Sequence, residues 1–393
     1  MNEPLGGTRL NREIIEQVFV DAGKVSPGSL ERVSAELVSH SGGYTSHIIR
    51  LLLFWKKHDG NLDHPSRALV KMPTEEHFDR LSSSYEPKLA EKLKESYPVN
   101  EIFRIECAIY EMLPKELPEF PMPKCYGTWT KAGSGMQFMI IEDLSHIAKT
   151  PDLSCGLTHA QLMNCAEALA VLHAWSLNTQ YEWKKLLPGP ENNTDILLAS
   201  FEFFGDNMEK TMKKYPGELK CVDVAKVRAI LSDKENVIAA MTEYRKLMPD
   251  VLAHGDFWSN NILFQVDNET NRTSDRIAAI IDWQISHQGS FAEDLSRLYS
   301  FCVNPDVRRS TAKDVFRRYF DRMQILSPEA MHSVSFDRAY HIFEKSLFYY
   351  ALAMVSFAHQ FEMLFEAGDP TLKAVMLNRT VEIYKDAAEF FKF

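Results

Sequence analysis

Hydrophobic positions change their period along this chain, from short alternating runs in its first third to three- and four-residue spacing in its second half. Leu10, Ile14, Ile15, Val18 and Phe19 share one helical face, which predicts a helix over 10–21 ending near Gly23. Three strands are expected next, Arg32–His40, Ser46–Trp55 and Arg67–Met72, the last closed by Pro73. A turn rich in glycine and hydroxyl groups (41–46) joins the first two, and a polar tip around Asp59-Gly60-Asn61 joins the second and third. Beyond a polar stretch, a helix is expected from Glu101 to Leu113 with Pro114 as its stop. Two more strands follow, Lys124–Thr130 and Met136–Ile141, across a Gly133-Ser134-Gly135 turn. From Thr158 onward the spacing is helical over 158–179, 194–215, 222–247, 290–303, 311–325 and 334–391. One interruption stands out: Ile262-Leu263-Phe264 and Ile277–Ile281 read as a hairpin between helices. The pattern is that of an α+β protein in two lobes: a strand-rich 1–141, a linker at 142–148 and a helix-rich 149–393.

At 393 residues and 45% hydrophobic, the chain has enough apolar surface for a core in each part. The net charge of −10 argues against nucleic acid or an anionic membrane as partner. It is compatible with a cationic substrate and is also ordinary for a cytosolic enzyme. Cysteines at 107, 125, 155, 165, 221 and 302 form no C-x-x-C pair, which reads as reduced thiols and not as a disulfide frame or zinc site. Met1-Asn2-Glu3-Pro4 lacks a signal-peptide pattern, and the uncharged stretch from Ser346 to Phe361 falls short of the ~18–20 apolar residues that span a bilayer. A cytoplasmic protein with no membrane partner is expected.

The chemistry concentrates in His254-Gly255-Asp256-Phe257-Trp258-Ser259-Asn260-Asn261 and in Ile280-Ile281-Asp282-Trp283. The hairpin would bring Asp256, Asn261 and Asp282 to one mouth. Magnesium-dependent phosphoryl transfer needs such a set: a carboxylate to orient and deprotonate an acceptor hydroxyl, and an amide oxygen and second carboxylate to hold Mg²⁺ against nucleotide phosphates. Each half of the motif is ordinary; the combination is specific. His254 is read as fixing the loop, because a lone histidine is more often structural than a proton carrier. Asp294 reads either as a brace on the loop amides or as the N-cap of the next helix.

Lys71 ends an apolar strand, Ala68-Leu69-Val70-Lys71, and a half-buried lysine there needs a partner. Glu106 shares a helical face with Phe103, Tyr110 and Leu113 and is the first candidate; Glu101 and Glu111 are the alternatives. The competing reading is a strand-edge lysine reaching to water. Gly42 and Gly43 would let backbone approach phosphates, with Thr45 and Ser46 donating hydroxyl groups, although a glycine pair between strands is usually only a turn. Glu142, Asp143 and Leu144 read as a linker whose backbone meets an adenine edge, with Asp143 also a candidate helix cap. His173 reads as a core histidine. Among the aromatics Trp175, Trp183, Phe201, Phe203, Phe204, Phe257, Trp258 and Trp283, most read as core; Trp258 is the exception, because it sits within the Asp256 loop.

At Ala68–Lys71, Phe103-x-x-Glu106-x-x-x-Tyr110, Ile140–Leu144, Leu172-His173-Ala174, His254-Gly255-Asp256-x₄-Asn261-Ile262-Leu263 and Ile281-Asp282-Trp283, the chain resembles the aminoglycoside phosphotransferase and choline kinase superfamily. More closely it is similar to the ecdysteroid-kinase-like group, also called CHK kinase-like, from about residue 30 to 370. The resemblance implies a protein-kinase-like fold and transfer of a phosphoryl group from ATP, with Mg²⁺, to a small-molecule hydroxyl. It implies Lys71 as the phosphate-positioning lysine, Glu106 as its partner, 142–144 as the adenine hinge, Asp256 as base, and Asn261 and Asp282 as metal ligands. Ser41-Gly42-Gly43-Tyr44 departs from the more glycine-rich phosphate loop of relatives. The group's acceptors include steroid alcohols, choline and aminoglycosides, so the reaction is implied without its acceptor. The alternative is a nucleotide-binding pseudokinase of the same fold. A protein kinase is disfavoured, since neither Asp-Phe-Gly nor Ala-Pro-Glu follows the second motif.

Overall fold

The structure, a computed structural model, describes residues 5, 8–38, 46–56, 64–75, 91, 98–130, 136–189, 208–267, 269–358 and 370–393. It divides into one unit of residues 1–118 and 122–147 and a second of 119–121 and 148–393.

The first unit opens with α1 (Arg12–Asp21), whose N-terminus is capped by the Asn11 side chain accepting from the Ile14 N–H at 2.9 Å. Its strands are β1 (Leu30–Leu37), β2 (Ser46–Trp55), β3 (Arg67–Pro73), β4 (Cys125–Trp129) and β5 (Phe138–Glu142), and α2 (Val99–Glu116) precedes β4. They form one antiparallel sheet in the order β1-β2-β3-β5-β4. Period-two alternation decides which face is covered: on β2, Ile49, Leu51 and Leu53 are buried with Ile15, Val18 and Phe19 of α1, while Leu52 and Phe54 are exposed. At Gly127 the contact between α1 and the sheet is so close that a Cβ would lie 2.6 Å from Val18 Cγ1.

Pro114 does not stop α2 where expected; the helix runs on to Glu116, with Leu117 N–H closing on the Leu113 carbonyl at 2.8 Å. A proline there removes one backbone bond and crowds the carbonyl four residues before it, and the helix ends two residues further on.

The second unit contains β6 (Ala148–Lys149), α3 (His159–Asn178), α4 (Val224–Ser232), α5 (Lys234–Thr242), β7 (Val251–Ala253), β8 (Ile262–Val266), β9 (Thr273–Ile280) and β10 (His287–Gly289). Its further described helices are α6 (Glu293–Cys302), α7 (Pro305–Leu326), α8 (Pro328–Met331), α9 (Phe336–Phe357) and α10 (Pro370–Phe391). Helix α3 begins at a capping box formed by Thr158 and Gln161 and packs along α7; α6 packs on α9, and α9 on α10. Phe316 of α7 stacks on Phe343 of α9 with centroids 5.0 Å apart. Among the described residues no helix is long and apolar enough to cross a membrane.

Three expected helices change extent. The segment 222–247 is cut at Asp233, whose carboxylate accepts from the Asn236 N–H and caps α5. Helix α7 starts at Pro305 rather than 311, with proline in the first turn, where its missing donor costs nothing. Among the described residues of 334–391 there are two helices, α9 and α10, the second opening on Pro370. Strands β6, β7 and β10 are two or three residues long, too short to leave a periodic signal.

Candidate active site

In the first unit, Lys71 lies on β3 between Ile48 of β2 and Met139 of β5, at the centre of the sheet. Its ammonium meets both carboxylate oxygens of Glu106, at 2.8 and 2.7 Å, and both residues are buried. The alternatives are engaged elsewhere: Glu101 with Arg104, and Glu111 with the Thr128 hydroxyl. Helical spacing explains the choice, since Phe103, Glu106, Tyr110 and Leu113 all lie on the buried face of α2. Ser46, the first residue of β2, is buried; Gly42, Gly43 and Thr45 lie outside the described residues.

Glu142 ends β5, donating its N–H to the Lys124 carbonyl at 2.9 Å and accepting from the Lys124 N–H on its side chain at 3.2 Å. Asp143 is not a helix cap. Its buried carboxylate takes ion pairs from Arg50 Nε at 2.9 Å and Arg67 Nη2 at 3.1 Å, and accepts from the Ser145 N–H. Burial alone would raise this carboxyl, but Ser145 and Arg50 outweigh it and hold it below the usual range. Leu144 is buried, and its carbonyl accepts from the Ile147 N–H.

In the second unit, β7 delivers the chain to His254 and a short 3₁₀ turn, Ser259–Asn261, delivers it to β8. Asn261 Nδ2 lies 2.9 Å from both the carbonyl oxygen and Oδ2 of Asp256. Both are acceptors, so the amide nitrogen must face them and its oxygen faces away. Strand β9 pairs with β8, and the Ile281 N–H bonds to the Asn261 carbonyl at 2.9 Å, which brings Asp282 beside Asn261 along the backbone. Asp282 has a φ of +66°, a conformation that ordinary residues avoid and that is held at a cost where the surroundings demand it.

The loop is clamped from three sides. His254 is fully buried; its Nε2–H donates to the Ile281 carbonyl at 3.0 Å and its Nδ1 accepts from the Asp256 N–H at 3.2 Å. Burial pushes this histidine's pKa down, and the neutral ring with its proton on Nε2 satisfies both bonds. Asp294, at the start of α6, accepts the N–H groups of His254 at 2.8 Å and Gly255 at 2.9 Å. It makes no cap for its own helix. Burial would raise the Asp294 carboxyl, but His173 and His254 outweigh it and hold it low. Gly255 has a φ of +81°, and a Cβ there would stand 2.5 Å from the Ile285 carbonyl, so only glycine fits.

Two participants escaped the sequence reading. Arg297 of α6 ion-pairs with Asp256 Oδ1; only its three-residue spacing from Asp294 hinted that it shares that helix face. His173 is the second. It is buried as expected, but its Nδ1 meets the Tyr319 hydroxyl at 2.8 Å and its Nε2 lies 3.8 Å from Asp294. Phe257, Trp183 and Trp283 are core residues, Trp175 and Trp258 are half-buried, and Phe201, Phe203 and Phe204 lie outside the described residues.

Beneath the loop, His287 donates from Nδ1 to the Ile285 carbonyl at 2.9 Å and from Nε2 to Glu293 at 3.1 Å. Burial alone would lower its pKa, but Glu293 outweighs it and raises the pKa to about 9. The folded value lies above the unfolded one near 6.5, so this stabilisation is complete below about pH 6.5 and is lost as pH rises toward 9, on the order of 3 kcal/mol in all. Denaturant titrations from pH 6 to 9 should show that slope, and His287→Gln should flatten it.

Residues 30–393 match the family described as DUF1679, "Uncharacterized oxidoreductase dhs-27". The chain belongs to this family. Among its relatives in Caenorhabditis elegans, the "uncharacterized oxidoreductase dhs-27" is 23% identical over 298 residues, 73% of this chain and 34% of that protein. The "uncharacterized kinase-like protein D1044.1" is 25% identical over 206 residues, 51% of each. The chain thus spans between a third and about half the length of these relatives. A solved choline kinase from Cryptosporidium parvum aligns over 96% of this chain and 94% of its own, with a TM-score of 0.51 and 11% identity. The DUF1679 chain therefore has the α+β, protein-kinase-like fold that its motifs imply, a fold it shares with small-molecule kinases.

Proposed function

We propose that this chain is a phosphotransferase that moves the γ-phosphoryl group of ATP to a hydroxyl of a small molecule, with Mg²⁺. One observation carries the reading: Asn261 turns its amide nitrogen to Asp256, leaving its oxygen for a cation, beside an Asp282 held in a strained conformation. Two protein oxygen ligands suit Mg²⁺, which keeps several waters and takes the rest of its shell from phosphates. Bound there, the ion would offset charge on the phosphate oxygens. Asp256 orients the acceptor hydroxyl and takes its proton as the new O–P bond forms and the bond to the β-phosphate oxygen breaks, releasing ADP. Lys71, fixed by Glu106, supplies a point charge to the α- and β-phosphates. Ser46 with Gly42, Gly43 and Thr45 contacts phosphates, and the backbone of 142–144 takes the adenine edge. His254 and Asp294 hold the loop.

The described residues do not form the parallel sheet of a dinucleotide-binding fold. Dinucleotide crevices are built on parallel strands with a G-x-G-x-x-G turn. Every strand pair among the described residues is antiparallel, and the sequence contains no such turn.

Incubation of the protein with γ-labelled ATP, Mg²⁺ and a metabolite extract should yield a labelled small molecule identifiable by mass. Nucleotide binding without any labelled product would leave a pseudokinase and refute the transferase.

A further inference from the structure

Strand β5 makes its last pair with β3 at Glu142, opposite Ala68, and the chain then leaves the sheet. Past its last ladder pair a segment keeps one conformation only if other contacts fix it. Here the contacts come from the Asp143 carboxylate, which is fully buried. Its Oδ2 takes Arg50 Nε at 2.9 Å and Arg67 Nη2 at 3.1 Å, and its Oδ1 accepts from the Ser145 N–H at 3.0 Å. Both guanidinium groups reach on to the Ser145 hydroxyl, at 3.4 and 3.3 Å. The two arginines come from different strands but from one face of the sheet. Arg67, Leu69 and Lys71 alternate onto the same side of β3, and Arg50 of β2 stands opposite Leu69. The linker is therefore tied to the face that carries Lys71.

We infer that Asp143 is a positioning residue for the nucleotide base: held by Arg50 and Arg67, it fixes the backbone of 142–144 at a set distance from Lys71. The inference rests on the phosphotransferase reading and gives the carboxylate and both arginines a part in it. Arg67 and Lys71 are four residues apart on one strand, about 13 Å, which is comparable to the reach of an extended nucleotide from its base to its phosphates. One strand thus carries the anchor for the base end and the charge for the phosphate end. A backbone hydrogen bond to the base holds only near 3 Å and is gone once the linker drifts by about 1 Å. Asp143 itself is enclosed by its arginines and acts through the main chain, without touching the base.

The test is a calorimetric titration, with Mg²⁺, of ATP and of tripolyphosphate, which has the phosphates without base or ribose. Both ligands are titrated into the wild type, Asp143→Asn and Arg67→Gln. The wild type should bind ATP at least tenfold more tightly than tripolyphosphate. In Asp143→Asn the ATP affinity should fall about tenfold, the worth of one or two hydrogen bonds, while tripolyphosphate stays within about twofold. Arg67→Gln should move ATP the same way by roughly threefold, since Arg50 remains, and its arginine is 37% exposed, so this variant decides the matter if Asp143→Asn does not fold. Loss of folded protein lowers the fraction of binding sites and leaves both dissociation constants alone, so a merely structural role gives a different result. Equal affinities for the two ligands in the wild type, equal weakening of both in the variants, or unchanged ATP affinity in either variant overturns the inference. A wild type that binds neither ligand is a different result, and it refutes the phosphotransferase reading itself.

Discussion

Asp256→Asn should lower the rate of label transfer from ATP by roughly 10²–10⁴, the usual worth of a positioned acid–base group, while ATP affinity stays within a few-fold. The amide is nearly isosteric and can still accept one bond from Arg297, so the loop keeps its shape. What is lost is the proton acceptor and the charge that orients the hydroxyl. Removing the carboxylate also leaves Arg297 with one charged partner fewer, but the arginine side chain is 28% exposed and water can take up the charge. The stability cost should therefore be near 1 kcal/mol, small enough that a melting curve separates lost chemistry from lost fold. Transfer near the wild-type rate would remove Asp256 from its role.

The second large effect is structural. Asp294→Ala should destabilise the second unit by about 3–5 kcal/mol, as expected for deleting one member of a buried charged network, and should abolish transfer. The reason is local: the His254 and Gly255 N–H groups both point at this fully buried carboxylate and would be left without an acceptor. His173 would lose its neighbour as well. Asp294→Asn should fall between, because one end of the amide presents N–H to a backbone N–H. Denaturant unfolding of the three proteins ranks them, and equal stabilities would contradict the bracing role.

How much of this could be read beforehand depended on the range of each interaction. Asp256, Asn261 and Asp282 were legible because a hairpin joins them and their spacing is local. The choice of Glu106 over Glu101 and Glu111 followed from helical periodicity and one buried face. Arg297 was not legible: its partner lies 41 residues earlier, and an arginine on an amphipathic helix looks like any solvated one. Asp233 hid inside a helical pattern because a capping carboxylate and a surface carboxylate look alike until the chain bends there. The left-handed backbone at Gly255 is written only as a glycine, and its demand comes from the Ile285 carbonyl, thirty residues away in sequence.

The most direct test is a calorimetric titration of ATP into the wild type and into Asp282→Ala, each with and without Mg²⁺. Mg²⁺ should tighten ATP binding at least tenfold in the wild type, and Asp282→Ala should lose this gain while retaining the metal-free affinity. Equal tightening by Mg²⁺ in both proteins would contradict a cation site at Asn261 and Asp282.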